Sequence, residues 1–274
     1  MGRRRRRARL PEGEFEARID SMGHDGLGVA RIEGKATFIH GALPGESVLF
    51  RYTKRRHSHD EGQTVAVVSA SPDRVVPRCK HYGVCGGCSL QHLGADAQIA
   101  AKQAILLENL RTIGKVQPAA VLPSIVNHSP WGYRRKARLG VKEVARKGKV
   151  LVGFRERHAP FITDMHRCEI LANPVDGLID ALSELAGTLS IRARLPQVEV
   201  SVADNATALV FRVLDPPTSD DEARFREFGE KHGVRIYLQP GGLDTVALFY
   251  PEDAGPLHYE LPEFDVRIAF EAVG

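Results

Sequence analysis

Residues 79–88 read Cys79-Lys80-His81-Tyr82-Gly83-Val84-Cys85-Gly86-Gly87-Cys88, and this stretch decides how the rest of the chain is interpreted. It holds three of the four cysteines, and the fourth, Cys168, follows 80 positions after Cys88. Three thiolates in one loop, completed by a distant fourth, bind either a [4Fe-4S] cluster or a tetrahedral zinc ion. Glycines between the cysteines let the backbone bend around a bulky cluster. The spacing predicts a metal centre at Cys79, Cys85, Cys88 and Cys168.

Iron and sulfur are favoured over zinc, because zinc ligands usually come as two closely spaced pairs, whereas Cys79 and Cys168 each stand alone. Two disulfides would need an oxidising compartment, which nothing in the sequence indicates. Four unrelated buried thiols would leave the Cys-Gly-Gly-Cys loop unexplained. A redox-active Cys-x-x-Cys pair predicts a strand-to-helix setting, but the flanks here are loop-like. These alternatives remain open beside the cluster.

The segment before the cysteines predicts a small β-barrel. Five short runs of alternating or β-branched residues are separated by turns rich in glycine or charge: residues 15–19, 28–32, 37–39, 48–52 and 64–68. Five short strands in this space are typical of an OB-like barrel, predicted over residues 10–70. A small all-β domain without a nucleic-acid role is the alternative, since fold does not dictate function.

The segment after the cysteines predicts helices and strands together. A loop for the cluster covers residues 71–94, and a helix follows within residues 95–114, with Ile99, Leu106, Leu110 and Ile113 on one stripe. Residues 115–274 form a predicted α+β domain. Within it, Asn173 and Pro174 signal a helix start, and Ser219 with Glu222 signals another that ends at Gly233. Residues 197–202 and 207–214 predict a hairpin.

Positive charge is concentrated in two places. Six arginines lie within residues 1–9, a predicted disordered tail, and removing these six from the 38 basic residues leaves 32 against 34 acidic ones. A second basic segment lies between Trp131 and His158, interleaved with aromatic residues. It predicts a phosphate-binding surface with stacking groups, although a solvated basic face is the alternative. The residues predicted to bind RNA are Arg134, Arg135, Lys136, Arg138 and Arg155.

No stretch of sequence has the roughly 20 consecutive apolar residues that a membrane-spanning helix needs. The arginines at the start have no apolar run behind them to make a secretion signal. The sequence therefore predicts a cytoplasmic protein that makes no membrane contact.

Two blocks before the cysteines resemble a known RNA-binding module. The sequences His24-Asp25-Gly26-Leu27-Gly28-Val29-Ala30-Arg31 and Gly41-Ala42-Leu43-Pro44-Gly45-Glu46 are similar to the TRAM domain, an OB-like barrel. The block Cys85-Gly86-Gly87-Cys88-Ser89-Leu90-Gln91-His92-Leu93, followed by Tyr133-Arg134-Arg135-Lys136-Ala137-Arg138-Leu139, resembles the RlmD (RumA) family of 23S ribosomal RNA uracil-C5 methyltransferases. The resemblance extends from Leu10 to the end of the sequence.

This resemblance implies roles for particular residues. The four cysteines would hold a [4Fe-4S] cluster, and the barrel and central domain would bind 23S ribosomal RNA. The helix within residues 95–114 would pack on a Rossmann-like methyltransferase domain that binds S-adenosyl-L-methionine in the full-length enzyme. A monomer is expected.

The family pattern also includes a glycine-rich S-adenosylmethionine loop and a cysteine nucleophile, and neither is recognised in this sequence. We therefore expect a multidomain chain from which the methyltransferase domain is missing: an enzyme by family, with no catalytic residue of its own and inactive alone. The alternatives are a stand-alone RNA-binding protein and a zinc-binding or redox-sensing module.

Overall fold

The computed structural model describes residues 10–127 and 129–273. The predicted arginine tail, residues 1–9, lies outside the described residues. The chain divides into two compact units: residues 1–83 with 88–127, and residues 84–87 with 128–274. The boundary passes through the cysteine loop, so residues 84–87 pack with the second unit although their neighbours pack with the first.

The first unit contains a six-stranded sheet with the order β1-β5-β6-β4-β3-β2. Its strands are β1 (Phe15–Arg18), β2 (Ser21–Met22), β3 (Gly28–Ile32), β4 (Lys35–His40), β5 (Ser47–Arg55) and β6 (His59–Ser69). The expected count of five strands is wrong. Residues 15–22 form two strands because the pairing partner changes: β1 pairs with β5, whereas β2 pairs with β3.

This change of partner joins the two edges of the sheet. The Asp20 N–H donates to the Val29 carbonyl over 2.8 Å, directly between the two strands. The interior is filled by Ala17, Ile19, Ala30, Ile39, Ala42, Val48 and Phe50. Gly28 is required at this seam, because a Cβ there would lie 2.8 Å from the Ala42 carbonyl oxygen.

Helix α1 (Ala95–Thr112) also belongs to the first unit; it begins at the first residue of the predicted range 95–114 and ends two residues before the last. None of its side chains is buried. Leu106 is 59% exposed and Ile113, at the helix end, is 79% exposed. The helix is held at its start by Gln98, whose side-chain amide donates to the Leu90 and Leu93 carbonyls.

The second unit contains another six-stranded sheet, with the order β12-β11-β10-β9-β7-β8. Neighbouring strands are antiparallel except for β10 and β11, which are parallel. The strands are β7 (Lys136–Val144), β8 (Lys149–Gly153), β9 (Gln197–Val202), β10 (Thr207–Arg212), β11 (Arg235–Gln239) and β12 (Ala247–Tyr250). A separate hairpin comprises β13 (Leu257–Leu261) and β14 (Val266–Phe270).

Side chains of β10 pack toward both faces of this sheet. Phe211 contacts Phe225 of helix α3 (Ser219–His232), with ring centroids 4.9 Å apart. Ala208 and Val210, which point the other way, pack with Leu257 of the β13–β14 hairpin. Helix α2 (Ile179–Thr188) packs on β8 and α3. The sheet is therefore covered by helices on one face and, at β10, by the hairpin on the other.

Two helix starts differ from the predictions. Helix α2 begins at Ile179 with Leu178 as its N-cap, because residues 175–177 form a 3-10 turn after Pro174. Helix α3 has its capping box one residue earlier than predicted: the Thr218 hydroxyl accepts from the Asp221 N–H, and the Asp221 carboxylate accepts from the Thr218 N–H. Its end at Gly233 is as predicted.

Within residues 10–127 and 129–273, no helix combines the length and the apolar character needed to cross a membrane.

Candidate nucleic-acid interface and cysteine loop

The four cysteines are divided between the two units. Cys79 and Cys88 belong to the first unit, and Cys85 and Cys168 belong to the second. Cys85 and Cys168 are buried, at 8% and 5% exposure. None of the four forms a disulfide. The disulfide alternative is therefore wrong for the described protein.

In the first unit, side chains of the cysteine loop make hydrogen bonds to the loop backbone, both before and after residues 84–87 in the sequence. The Cys79 N–H donates to the Gln91 side-chain oxygen over 3.1 Å. The Tyr82 hydroxyl donates to the Ser89 carbonyl over 2.7 Å. The Gly94 N–H donates to the Asp73 carbonyl, so a backbone hydrogen bond joins the two ends of the loop segment.

In the second unit, residues 84–87 pair with the segment after β8. The Gly86 N–H donates to the Arg155 carbonyl over 2.8 Å, and the Arg157 N–H donates to the Val84 carbonyl over 2.8 Å. A Cβ at Gly86 would lie 2.9 Å from that Arg155 oxygen, so only glycine allows this approach. The Gly87 N–H points at the Cys85 sulfur, 3.4 Å away. Such a contact stabilises negative charge on sulfur.

Cys168 begins a segment that meets the basic region. The Arg134 N–H donates to the Ile170 carbonyl over 2.8 Å, and the Ala172 N–H donates to the Arg134 carbonyl over 3.0 Å. Two sequence blocks that lie far apart in the chain are therefore paired by backbone hydrogen bonds. In the described parts of the chain, however, no three His, Cys, Asp or Glu side chains form a group that could hold a metal ion.

The five residues predicted to bind RNA all lie in the second unit, but their surroundings differ. The Arg135 guanidinium is 2.6 Å from Asp204, and that of Arg138 is 2.8 Å from Glu199. Arg134 lies over the Phe154 ring, 5.6 Å from its centroid, and Lys136 lies 4.9 Å from the Phe270 centroid. Two of the five are therefore already neutralised by carboxylates.

Lys147 and Lys149 share one carboxylate, which offsets one of their two positive charges. Both ammonium groups contact Asp164, which lies 2.8 Å from Lys149. Hydrogen bonds from Lys147 and Lys149 lower the pKa of Asp164 to about 2, against the opposing effect of burial. This carboxylate is therefore ionised at physiological pH, and it cancels part of the charge of the basic segment.

A cavity of about 740 Å³ lies beside these residues in the second unit. Its walls come from the β7–β8 hairpin, from residues 155–162 and from residues 192–196. Arg155 is the one predicted RNA-binding residue that lines it. The lining also includes Lys142, Glu156, Phe161 and Arg192. The lining combines aromatic, apolar and charged side chains, as the pockets of small-molecule ligands do.

Sequence reasoning missed Phe161 and Arg192 as candidate site residues. Phe161 stands between a proline and an isoleucine and carries no motif. Its exposure, 65%, is the informative observation, and only the structure provides it. Arg192 lies beyond the basic segment, and the fold brings it to the cavity through its ion pair with Glu143.

Comparisons with known proteins agree over both units. The TRAM domain model matches residues 13–50. The 23S rRNA (uracil(1939)-C(5))-methyltransferase RlmD of Methylococcus capsulatus is 49% identical over 270 residues, covering 98% of this chain and 61% of the relative. The RlmD protein of Aromatoleum aromaticum is 49% identical over 254 residues, covering 92% of this chain and 58% of the relative.

The chain is therefore similar to RlmD proteins over nearly its whole length. It also matches the structure of the Pyrococcus abyssi tRNA (uracil-54, C5)-methyltransferase in complex with S-adenosyl-L-homocysteine, with a TM-score of 0.63. That match covers 94% of this chain and 60% of the other, at 19% identity, and it shows likeness of fold. The chain spans about three fifths of the length of the RlmD proteins that it matches.

These matches correct the expectation of an inactive fragment. Almost the whole chain aligns with proteins named as methyltransferases, and its fold matches that of another methyltransferase. The expected fold class, with the methyltransferase domain missing, and the expectation of a chain that lacks the methyl-donor site are not supported by these matches. Those expectations came from motifs that were not recognised in the sequence and from where it ends, and neither observation decides activity.

Proposed function

We propose that this protein is an S-adenosyl-L-methionine-dependent methyltransferase that acts on C5 of a uracil in 23S ribosomal RNA. The observation that carries the proposal is the 49% identity to an RlmD methyltransferase over 98% of the chain. S-adenosyl-L-methionine supplies the methyl group in this reaction. The residues described here supply binding and orientation of the RNA.

The charge of the second unit supports an RNA-binding role. Arg134 and Lys136 lie over the rings of Phe154 and Phe270, and they form one basic run with Arg135 and Arg138 in the sequence. Phosphate groups are attracted to such a cluster in a salt-dependent way, because binding releases condensed counterions. We propose that Arg134, Arg135, Lys136, Arg138 and Arg155 contact the RNA backbone.

The barrel of the first unit supports the same role through its match to the TRAM model. Small OB-like barrels bind oligonucleotides on a strand face and in the flanking loops. We further propose that α1, which has no buried side chain in the described structure, packs on another part of the enzyme. A cytoplasmic location and a monomeric state remain predictions.

We also propose that Cys79, Cys85, Cys88 and Cys168 hold a [4Fe-4S] cluster. The donor set suits such a cluster, because it offers four thiols outside any disulfide, and the Gly87 N–H is directed at one of the sulfurs. Since the described side chains form no metal-binding group, the proposal depends on the donor set and its spacing. The cluster would have a structural role, because four protein thiolates leave no iron site open.

The methyltransferase proposal is tested in cells that carry the native gene and in cells from which it has been deleted. We expect 23S ribosomal RNA from the deletion strain to lack one 5-methyluridine, measured by nuclease digestion and mass spectrometry. Restoring the native gene should restore the modification. An unchanged modification pattern in the deletion strain would contradict the proposal.

The cluster proposal is tested by metal analysis of anaerobically purified protein. We expect about four irons per chain and a brown visible absorbance, as thiolate-bound [4Fe-4S] clusters have. Cys88→Ser should lower the iron content and the absorbance. One zinc per chain, or no metal, would contradict the cluster.

A further inference from the structure

We propose that the 740 Å³ cavity of the second unit binds a single unstacked nucleotide of the RNA, with its base on Phe161 and a preference for a base that carries an exocyclic amine. The proposal rests on the proposed RNA-binding function and deepens it. The cavity would bind a nucleotide other than the target uracil. The enzyme would then contact the RNA at this nucleotide as well as at the target.

The stacking surface is Phe161, whose ring is 65% exposed although it borders the cavity. Its position is fixed by the backbone. The Glu156 N–H donates to the Phe161 carbonyl over 2.9 Å, and the Thr163 N–H donates to the Phe154 carbonyl over 2.9 Å. Every base has a face that can stack on an exposed aromatic ring.

Gly140 allows Ile162 of the same segment to pack closely on strand β7. A Cβ at this position would lie 2.3 Å from the Ile162 side chain, so Ile162 packs directly onto the β7 backbone. Phe161, the preceding residue, stays largely exposed.

Two cations at the cavity are available for a phosphate. Arg192 is 3.0 Å from Glu143, and Lys147 contacts Asp164, so both of these are neutralised. Lys142 and Arg155 also line the cavity, and among the residues that the structure describes neither has a carboxylate within ion-pairing distance. They favour an anionic ligand over a neutral aromatic one.

Glu156 provides selectivity. Glu156 lines the cavity, and an ionised carboxylate can only accept hydrogen bonds. The exocyclic N4 amine of cytosine donates to such an acceptor, whereas O4 of uracil is itself an acceptor and is repelled. Cytosine and uracil have rings of the same size, so the comparison between them isolates this contact.

The test uses the whole chain and two single-stranded RNA probes of about 12 nucleotides, oligo(C) and oligo(U), within the site sizes of single-strand binding proteins. We expect Phe161→Ala to weaken oligo(C) binding roughly 5- to 150-fold, as loss of one base-aromatic stack does. The salt dependence should not change, because no charge is lost. Phe161→Trp should retain binding.

Phe264→Ala is the matched control, because Phe264 is 71% exposed in the same unit but does not line the cavity. It should change oligo(C) affinity by less than about twofold, since surface substitutions away from a site have small effects. Glu156→Gln should narrow the preference for oligo(C) over oligo(U), because an amide can donate to O4 of uracil.

The two proposals fail in different ways. If the chain binds 23S ribosomal RNA but Phe161→Ala behaves like Phe264→Ala toward oligo(C), the nucleotide pocket is wrong and the proposed function stands. Equal affinity of wild type for oligo(C) and oligo(U) would overturn the amine preference. If the chain binds neither 23S ribosomal RNA nor the oligonucleotides, both proposals fall.

Discussion

Glu46 shows at the scale of one residue how the barrel is joined to the segment that follows it. Its side chain is fully buried and lies 2.5 Å from Nε and 2.7 Å from Nη2 of Arg74. It also accepts from the N–H groups of Leu43 and Ser71. Burial alone would make this charge costly, but four donors compensate for it.

We predict that Glu46→Gln lowers the free energy of unfolding by about 2 to 4 kcal/mol at pH 7, because the partly buried Arg74 guanidinium loses its charged partner. Chemical denaturation with urea measures the change. Glu14→Gln is the matched control: Glu14 pairs with Arg51 over 2.5 Å, but both side chains are exposed. An exposed pair contributes at most about 1 kcal/mol, so equal losses in the two variants would contradict the prediction.

The same residue predicts a pH dependence. Burial raises the pKa of Glu46, but hydrogen bonds from Arg74, Leu43 and Ser71 bring it below the ordinary value of 4.5. Stabilisation by this carboxylate is therefore complete above pH 4.5 and is lost as the pH falls through the lower, native pKa. Unfolding measured from pH 7 to pH 3 should show a smaller loss for Glu46→Gln than for wild type.

Gly153 leads to a prediction about packing. A Cβ at this position would lie 2.9 Å from the Met165 sulfur and 3.0 Å from the Thr163 carbonyl oxygen. Gly153→Ala should therefore destabilise the second unit by about 1 to 3 kcal/mol, because the backbone must move. Gly187→Ala, in α2, meets no atom within 4 Å and should be neutral or stabilising by about 0.5 kcal/mol. Thermal unfolding distinguishes the two.

At the scale of elements, the helices and the β9–β10 hairpin were predictable, but the β7–β8 hairpin was not. In β7 the buried residues Leu139 and Val141 alternate with exposed or half-buried ones. Its many cations hide that alternation, because charge suggests a surface loop. Strand β8 has a run of four buried residues, which periodicity alone does not distinguish from other buried segments.

The start of α3 leads to a prediction at this scale. Asp221 is fully buried and accepts from the Ser190 N–H over 2.7 Å, so it caps its own helix and also holds the segment after α2. Asp221→Ala should cost about 2 to 4 kcal/mol, because the part-buried donors of Ser190 and Thr218 lose their acceptor. Asp220→Ala, an exposed change in the same turn, should cost less than about 1 kcal/mol. Similar losses in urea denaturation would contradict this.

At the scale of the whole molecule, much of the positive charge of the basic segment is offset locally by carboxylates. The sequence has a formal net charge of +4, yet cations of the basic segment lie against Asp164, Glu199 and Asp204. RNA phosphates must compete with these carboxylates. Counting arginines and lysines in the sequence therefore overestimates the charge that the surface presents.

We predict that Asp164→Asn strengthens RNA binding by a few fold at low salt, because Lys147 and Lys149 then keep their full charge. The dependence of affinity on salt concentration should become steeper, by up to about one phosphate contact. Glu184→Gln, which removes one negative charge from α2 in the same unit, is the control for net charge. If both variants change affinity equally, local release of the lysines is not the cause.

The sequence by itself determined the four cysteines with their spacing, the basic segment, the TRAM-like blocks and the end of α3 at Gly233. These features depend on neighbours in the chain, so local chemistry is enough to predict them. The tertiary structure decided which cations are neutralised and where the cavity lies. Arg138 and Glu199 are 61 positions apart and meet because β7 pairs with β9 in one register. Such contacts arise from the pairing of distant strands, and no local pattern encodes them.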